Sequence, residues 1–121
     1  MMKNETWLPL VYKFQDGRVI DLSATVAVSN YGRLKDLRTD KVRSQRPKGK
    51  KVGKPENCYM CFSATGPDGK NYKALRVHRA VASAFVSGFS VGLEIDHRDD
   101  NIMNNASANL QWITKAENLA K

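Results

Sequence analysis

Four polar residues near the carboxyl end of this 121-residue chain have types that suit metal-assisted hydrolysis. Asp96 and His97 stand side by side, and two amides follow at Asn109 and Asn118. A histidine with an ordinary pKa of ~6.5 is largely neutral near pH 7 and can accept a proton from water. Carboxylate and amide oxygens are ligands that hard divalent cations prefer. We therefore predict that His97 is a general base, and that Asp96 and Asn118 hold a metal ion.

The elements around these residues are predicted to follow the order strand, loop, strand, helix. Residues 93–95 form a short apolar group that ends at the acid and the histidine, and a polar loop spans 98–108. Residues 110–113 are predicted to form the answering strand. Thr114 and Glu117 match a capping box, which predicts that a helix begins at once and carries the second amide in its first turns.

A hairpin and a helix are predicted immediately upstream. Residues 58–63 and 72–77 suit two strands, and the turn residues at 66–70 separate them. From 78 to 86 the apolar residues recur at helical spacing, and Gly88 marks the end of that helix. We expect this helix to pack on the hairpin.

The amino-terminal part is predicted to be a small β platform. Asp16-Gly17 lies between the apolar groups 11–14 and 18–20, as in a hairpin. Residues 26–28 lead into a turn signal at 29–32, and a further short strand follows.

Residues 41–54 carry many cations and no acid, and prolines and glycines interrupt them. Such a segment is predicted to be a basic loop, with phosphate contact favoured over a merely solvated linker. The whole chain has 20 Lys and Arg against 12 Asp and Glu, a formal charge of +8. This excess favours a nucleic-acid partner, and no apolar run approaches the ~20 residues that span a bilayer.

Cys58 and Cys61 form a lone C-x-x-C pair. A structural zinc ion normally has four ligands, and no second Cys pair or closely spaced His pair accompanies this one. Two small residues on a strand in a reducing cytosol are the favoured interpretation, and a zinc-stabilised protein is an alternative.

The carboxyl-terminal third resembles the HNH family, more narrowly the phage and intron-encoded homing endonucleases. The resemblance rests on several short motifs in the family's order, with spacing close to the family's. They are Val77-His78-Arg79-Ala80-Val81-Ala82-Ser83-Ala84-Phe85, Ile95-Asp96-His97-Arg98-Asp99-Asp100-Asn101, Asn104-Asn105, Asn109-Leu110-Gln111-Trp112 and Glu117-Asn118.

This resemblance implies an α+β fold with a ββα-metal nuclease motif and an amino-terminal β-rich extension. It implies a DNA-contacting region over 1–55 and a nuclease domain over 56–121, with the ββα-metal core at 93–121. The implied activity is hydrolysis of duplex DNA with one divalent ion, Mg²⁺ or Mn²⁺, leaving a 5′ phosphate and a 3′ hydroxyl. Asn109 then has a supporting catalytic part, since it would tie down the loop and orient His97.

A second stretch, residues 28–35, is similar to the core of a DNA-contacting module found ahead of such nuclease domains. We predict contacts to double-stranded DNA from cations in both parts of the chain. They are Arg33, Lys35, Arg43, Arg46, Lys48, Lys50, Lys51, Arg76, Arg79 and Arg98. The chain would act as a monomer or homodimer, in the cytoplasm of a bacterial host if it is phage-encoded.

One interpretation competes with a nuclease, and the second histidine of the chain has a separate predicted role. The same scaffold could serve as a DNA-binding module that does not cleave, although a pure binder has no need of a base beside a metal ligand. The other histidine, His78, is predicted to cap the helix or pack locally, or to touch phosphate together with Arg79, rather than to perform chemistry.

Overall fold

The computed structural model describes residues 4–48 and 59–120, which form short antiparallel strands and two helices. The strands are β1 (Trp7–Pro9), β2 (Val11–Lys13), β3 (Val19–Asp21), β4 (Val26–Ser29), β5 (Leu34–Asp36), β6 (Lys41–Val42), β7 (Arg46–Lys48), β8 (Tyr59–Thr65), β9 (Asn71–Arg76), β10 (Glu94–His97) and β11 (Leu110–Ile113). The helices are α1 (Val77–Phe85) and α2 (Lys115–Leu119). The predicted α+β class is confirmed. None of the helices in these ranges is long and apolar enough to cross a membrane.

The amino-terminal strands form the predicted β platform. Strands β1, β4, β5 and β6 make one sheet in the order β1-β4-β5-β6, and β2 pairs with β3. Gly17 has φ +94° in the turn between β2 and β3, and Gly32 has φ +90° between β4 and β5. Glycine reaches this left-handed region without the steric penalty that a Cβ brings, which is why these turn signals were reliable.

The prediction that residues 41–54 form a loop was wrong for its first part. Lys41–Val42 pairs with β5, and Arg46–Lys48 pairs with β8, opposite Tyr59 to Cys61. Strands at a sheet edge need only backbone hydrogen bonds on one side, so exposed charged residues and Pro47 are tolerated there. Such strands lack the apolar alternation that a sequence pattern detects. The rest of the predicted loop, residues 49–54, lies outside the described residues.

One core joins both parts of the chain. Leu10, Leu22 and Val28 from the platform belong to the same buried cluster as Val77 and Val81 of α1. Helix α1 supplies this core with Val77, Ala80, Val81 and Ala82, all fully buried. The two described parts of the chain therefore share one packed core. The predicted division at 55/56 falls within residues 49–58, outside the described ranges, and stays a prediction.

The carboxyl-terminal elements follow the predicted order. Strands β10 and β11 form an antiparallel hairpin in which Asp96 is opposite Gln111 and His97 is opposite Leu110. The capping box is present, because Thr114 accepts from the backbone of Glu117 and the Glu117 side chain accepts from the backbone of Thr114. A 3-10 turn at Ser107–Asn109 closes the loop, and the sequence did not indicate it. The result is a two-stranded hairpin followed directly by α2.

Candidate active site

The end of β10 places two titratable side chains inside the protein. Successive residues of a strand point to opposite faces, so Asp96 shares a face with Glu94 and His97 shares the other with Ile95. Asp96 is 6% exposed and His97 is 5% exposed. Burial on this scale is unusual for such polar residues and requires hydrogen-bond partners.

The imidazole of His97 is held by Asn105, at the far end of the loop. Nε2 of His97 lies 2.9 Å from Oδ1 of Asn105, which is itself buried. With that oxygen as the acceptor, the neutral form of the ring carries its proton on Nε2 and its lone pair on Nδ1. The ring also lies beside two others, with centroid distances of 5.2 Å to His78 and 6.3 Å to Tyr59.

The other face of the hairpin carries side-chain oxygens that could bind a cation. Oδ2 of Asp96 accepts a hydrogen bond of 2.8 Å from the amide of Gln111 on β11. The amide Nδ2 of Asn118 on α2 donates to Oε1 of Glu94 at 2.9 Å, which ties α2 to β10. Asn118 therefore meets the strand at Glu94, two positions before Asp96 and on the same face.

These side chains include oxygen donors of the kind that a hard divalent cation prefers. The donation from Nδ2 of Asn118 to Glu94 leaves the amide oxygen of Asn118 as a donor that could bind a cation, and the carboxylate of Asp96 is a second such donor. In the described part of the chain, no group of three or more His, Cys, Asp and Glu residues could hold a metal ion. A site with Asp96 and Asn118 as its two protein ligands leaves positions for substrate oxygen and water, as Mg²⁺ sites commonly do.

Asn109 organises the loop between the strands. Its Nδ2 donates to Oδ1 of Asp99 and to the backbone oxygen of Asn104, both at 2.9 Å. Its Oδ1 accepts from the backbone N–H of Asp99 at 3.1 Å. Hydrogen bonds from Asn104, Asn101 and Asn109 lower the pKa of Asp99, so its carboxylate stays charged and the loop stays closed. Asn109 thus ties down the predicted loop, while the side chain bonded to His97 is Asn105.

The amino-terminal turn at residues 29–32 supports this loop from outside. The backbone N–H of Ser107 donates to the backbone oxygen of Asn30 at 2.8 Å. A Cβ on Gly32 would come within 3.1 Å of Cβ of Asn105. The partner of His97 is therefore packed against a turn more than 70 residues earlier in the chain.

A cleft of about 460 Å³ opens beside β10, between the amino end of α1 and helix α2. Its lining includes Arg76, His78 and Arg79 on one side and Glu94 and Asn118 on the other. Burial, and then the nearby His97, lowers the pKa of His78 to about 3, so this imidazole is neutral. The cleft thus combines cations, a neutral ring and oxygen ligands.

The cations predicted to bind DNA differ in whether an acidic side chain already pairs with them. Arg33 donates to Glu5, Lys35 lies 3.4 Å from Asp40, and Arg43 lies 3.3 Å from Asp36. Arg46, Arg76 and Arg98 are exposed, and half-buried Arg79 donates to the backbone oxygen of Lys13. The side chain of Lys48, and all of Lys50 and Lys51, lie outside the described residues.

A larger groove of about 700 Å³ lies at the β6 to β9 side of the molecule. Lys41, Arg46 and Lys73 line it, and Arg43 lies there beside Asp36. Lys73 did not stand out in the sequence, since a single lysine on a strand is common. Cys61 is buried on β8 and lines this groove, whereas Cys58 is outside the described residues.

Sequence patterns gave no site role to Glu94, Asn105 or Gln111, and they predicted local packing or phosphate contact for His78 but not its contact with His97. Asn105 belongs to the Asn pair of the family resemblance, and Gln111 is a member of the predicted second strand. The antiparallel register of the predicted hairpin could have placed Gln111 opposite Asp96. No local signal places Glu94 against Asn118 or His78 against His97, because those contacts depend on how separate elements pack.

Comparison with known proteins agrees with this geometry. Residues 75–120 match a family model described as HNH endonuclease. The DNA endonuclease I-HmuI of Bacillus phage SP01 is 34% identical over 93 residues, which are 76% of this chain and 48% of that protein. An HNH endonuclease of Acanthamoeba polyphaga mimivirus, described as uncharacterized, is 30% identical over 75% of this chain and 24% of its own length.

A solved structure shows the same fold. The chain superposes on the HNH homing endonuclease I-HmuI with a TM-score of 0.70 and 29% identity, covering 82% of this chain and 52% of that one. The work on that structure concerns its DNA binding and cleavage. The chain spans about half the length of I-HmuI and about a quarter of the mimivirus protein. The part of the chain that spans residues 75–120 belongs to the HNH endonuclease family.

Proposed function

We propose that this protein is a DNA endonuclease that hydrolyses phosphodiester bonds of duplex DNA with His97 as its general base. The buried hydrogen bond between His97 and Asn105 is the observation that carries this proposal. It holds the ring in one orientation and leaves Nδ1 as the nitrogen with a lone pair. A neutral imidazole in that state can take a proton from water as the water attacks phosphorus.

Asp96 and Asn118 would hold one divalent cation, Mg²⁺ or Mn²⁺, on the other face of the hairpin. Such an ion, when bound, neutralises charge that accumulates on the phosphate and on the leaving 3′ oxygen. Gln111 fixes the Asp96 carboxylate through its 2.8 Å hydrogen bond, and Glu94 fixes the Asn118 amide. Residues that orient ligands in this way raise affinity because the ligands do not have to be ordered on binding.

Double-stranded DNA is the proposed substrate because exposed cations lie at the cleft and near the buried histidine. Arg76 lines the cleft, Arg98 is exposed directly after His97, and the groove with Lys41, Arg46 and Lys73 adds a second basic surface. Neutralised phosphates release counterions, which favours binding at low salt. I-HmuI, whose structure this chain shares in part, binds and cleaves DNA.

A supercoiled plasmid assay tests the proposal. With Mg²⁺ or Mn²⁺ the wild-type protein should convert the plasmid to nicked or linear product, and EDTA should stop the conversion. His97→Ala should lower the rate by about 100-fold or more, the usual scale of general-base catalysis. Lys115→Ala, on the exposed first residue of α2, is a matched control that should retain the wild-type rate.

DNA binding measured in EDTA separates the alternatives. His97→Ala should bind duplex DNA like the wild type, because the buried ring contributes to chemistry rather than to affinity. An unchanged cleavage rate in His97→Ala would contradict the general-base role. Binding without any cleavage by the wild type would instead identify a DNA-binding module on this scaffold.

A further inference from the structure

The amino end of α1 faces the cleft without a side-chain cap. The helix has nine residues, begins at Val77 directly after β9, and has Arg76 as its uncapped N-cap residue. The first N–H groups of a helix have no partner within the helix and carry partial positive charge. An anion is favoured at such an end.

His78 gives a second, independent indication that a ligand binds at this end of the cleft. Its side chain is 7% exposed and lines the cleft, and its Nδ1 atom is buried without a hydrogen-bond partner in the described part of the chain. The ring packs against both Tyr59 and His97, with centroid distances of 4.9 Å and 5.2 Å. A buried polar atom without a partner is destabilising, and a bound water, ion or ligand is one way in which it is satisfied.

The charges around His78 favour an anion. Arg76 is exposed, with Cζ 4.9 Å from the centre of the Tyr59 ring, so its guanidinium sits above the same cluster. Arg79, which follows His78 in the first turn of α1, also lines the cleft and is half-buried. Glu94, an acid on the opposite wall, accepts from Asn118 and belongs to the oxygen-ligand side of the cleft.

We propose that the amino end of α1, with Arg76 and His78, binds one backbone phosphate of the DNA. This inference rests on the proposed function and adds a substrate contact to it. The neutral ring of His78 donates a ring N–H to a phosphate oxygen, and burial, then the nearby His97, lowers its pKa to about 3. Because the ring centroids of His78 and His97 are 5.2 Å apart, a phosphate bound by His78 would lie close to the proposed base.

Histidine-selective nitrogen NMR tests this contact directly. The chain has two histidines, so a protein labelled with ¹⁵N-histidine gives two ring systems, and a His97→Gln variant leaves only that of His78. A short duplex oligonucleotide is added in EDTA, where no cleavage occurs. The ring nitrogen resonances of His78 should shift on binding, and a saturating duplex that leaves them unchanged would overturn the proposal.

Two substitutions at His78 separate hydrogen bonding from packing. His78→Phe keeps a ring against Tyr59 and His97 but has no nitrogen, whereas His78→Asn restores an amide near the Nδ1 position. Loss of a hydrogen bond to a charged group should lower plasmid nicking by about tenfold in His78→Phe. His78→Asn should recover part of the lost nicking activity. Wild-type nicking by His78→Phe would overturn the proposal, and the NMR result decides if that variant does not fold.

Arg76 has a matched control at the other end of the same hairpin. Lys70 is also an exposed cation above a tyrosine ring, 5.6 Å from the centre of Tyr72, but it lies outside the cleft. Arg76→Gln should reduce the slope of log affinity against log salt concentration by about one, as expected for one lost phosphate contact. Lys70→Gln should retain the wild-type slope. Equal slopes in both variants would contradict the Arg76 contact.

The outcomes distinguish this inference from the function on which it rests. If the wild type binds and nicks DNA but the His78 resonances do not respond, the phosphate site is wrong and the nuclease proposal stands. If the wild type neither binds nor nicks DNA, the proposed function fails and the phosphate site fails with it.

Discussion

Nε2 of His97 and Oδ1 of Asn105 lie 2.9 Å apart, and both side chains are buried. This pair links the end of β10 to the end of the following loop. The hydrogen bond sets which ring nitrogen keeps its lone pair, so Asn105 controls the state of the proposed base. Asn109, the amide expected to orient the histidine, acts on the loop that carries Asn105.

The first prediction concerns Asn105 itself. Asn105→Ala should lower plasmid nicking by about 10-fold to 100-fold, because the imidazole loses its orientation. The variant should also lose about 1–3 kcal/mol of unfolding free energy, since a buried polar group is left without its partner. Met103→Ala, on an exposed apolar residue of the same loop, should change nicking little. Full activity in Asn105→Ala would show that the hydrogen bond does not serve catalysis.

The second prediction tests the support that the amino-terminal turn gives to the site. Gly32→Ala places a Cβ 3.1 Å from Cβ of Asn105, at a backbone φ of +90°. Strain at such a φ costs about 1 kcal/mol or more, and displacement of Asn105 should also slow nicking. Gly88→Ala is the matched control, because φ is +100° there but no atom lies within 4 Å of the added Cβ. Both variants should lose stability, and only Gly32→Ala should lose activity at a temperature where both are folded.

The third prediction separates two arginines that were both expected to contact DNA. Arg98 is exposed directly after His97, whereas Nε of Arg33 donates to Glu5 at 2.8 Å and its guanidinium lies above Trp7. Arg98→Gln should weaken duplex binding and reduce the salt slope by about one. Arg33→Gln should lower the melting temperature and leave the slope nearly unchanged. The reverse result would make Arg33 the DNA contact and Arg98 a bystander.

The fourth prediction concerns the pH dependence of stability. The pKa of His78 is lowered from 6.5 to about 3 by burial, so between these values the unfolded chain binds a proton that the folded chain does not. Falling pH therefore favours unfolding in this window. From about pH 7 to about pH 5 this group alone should remove about 2 kcal/mol of unfolding free energy. Urea unfolding at both pH values should show a correspondingly smaller loss in His78→Phe, and an equal loss would contradict the buried neutral state.

The sequence by itself determined the local structure of the site. The short strand segments 93–97 and 110–113, the capping box from Thr114 to Glu117 and the helical spacing after Val77 all depend on neighbours along the chain. Such short-range preferences act before any tertiary contact forms. For this reason the hairpin and the two helices were predicted close to their observed bounds, and Asp96 and His97 were placed at the end of a strand.

Only the tertiary structure decided what those side chains contact. His78 meets His97 because α1 packs across the core, and Gly32 meets Asn105 because the amino-terminal turn lies on the loop. Strands β6 and β7 form because β5 and β8 offer unpaired backbone edges, which no apolar pattern in a basic segment reveals. These contacts join residues far apart in sequence through shape and burial, and spacing along the chain carries no record of either.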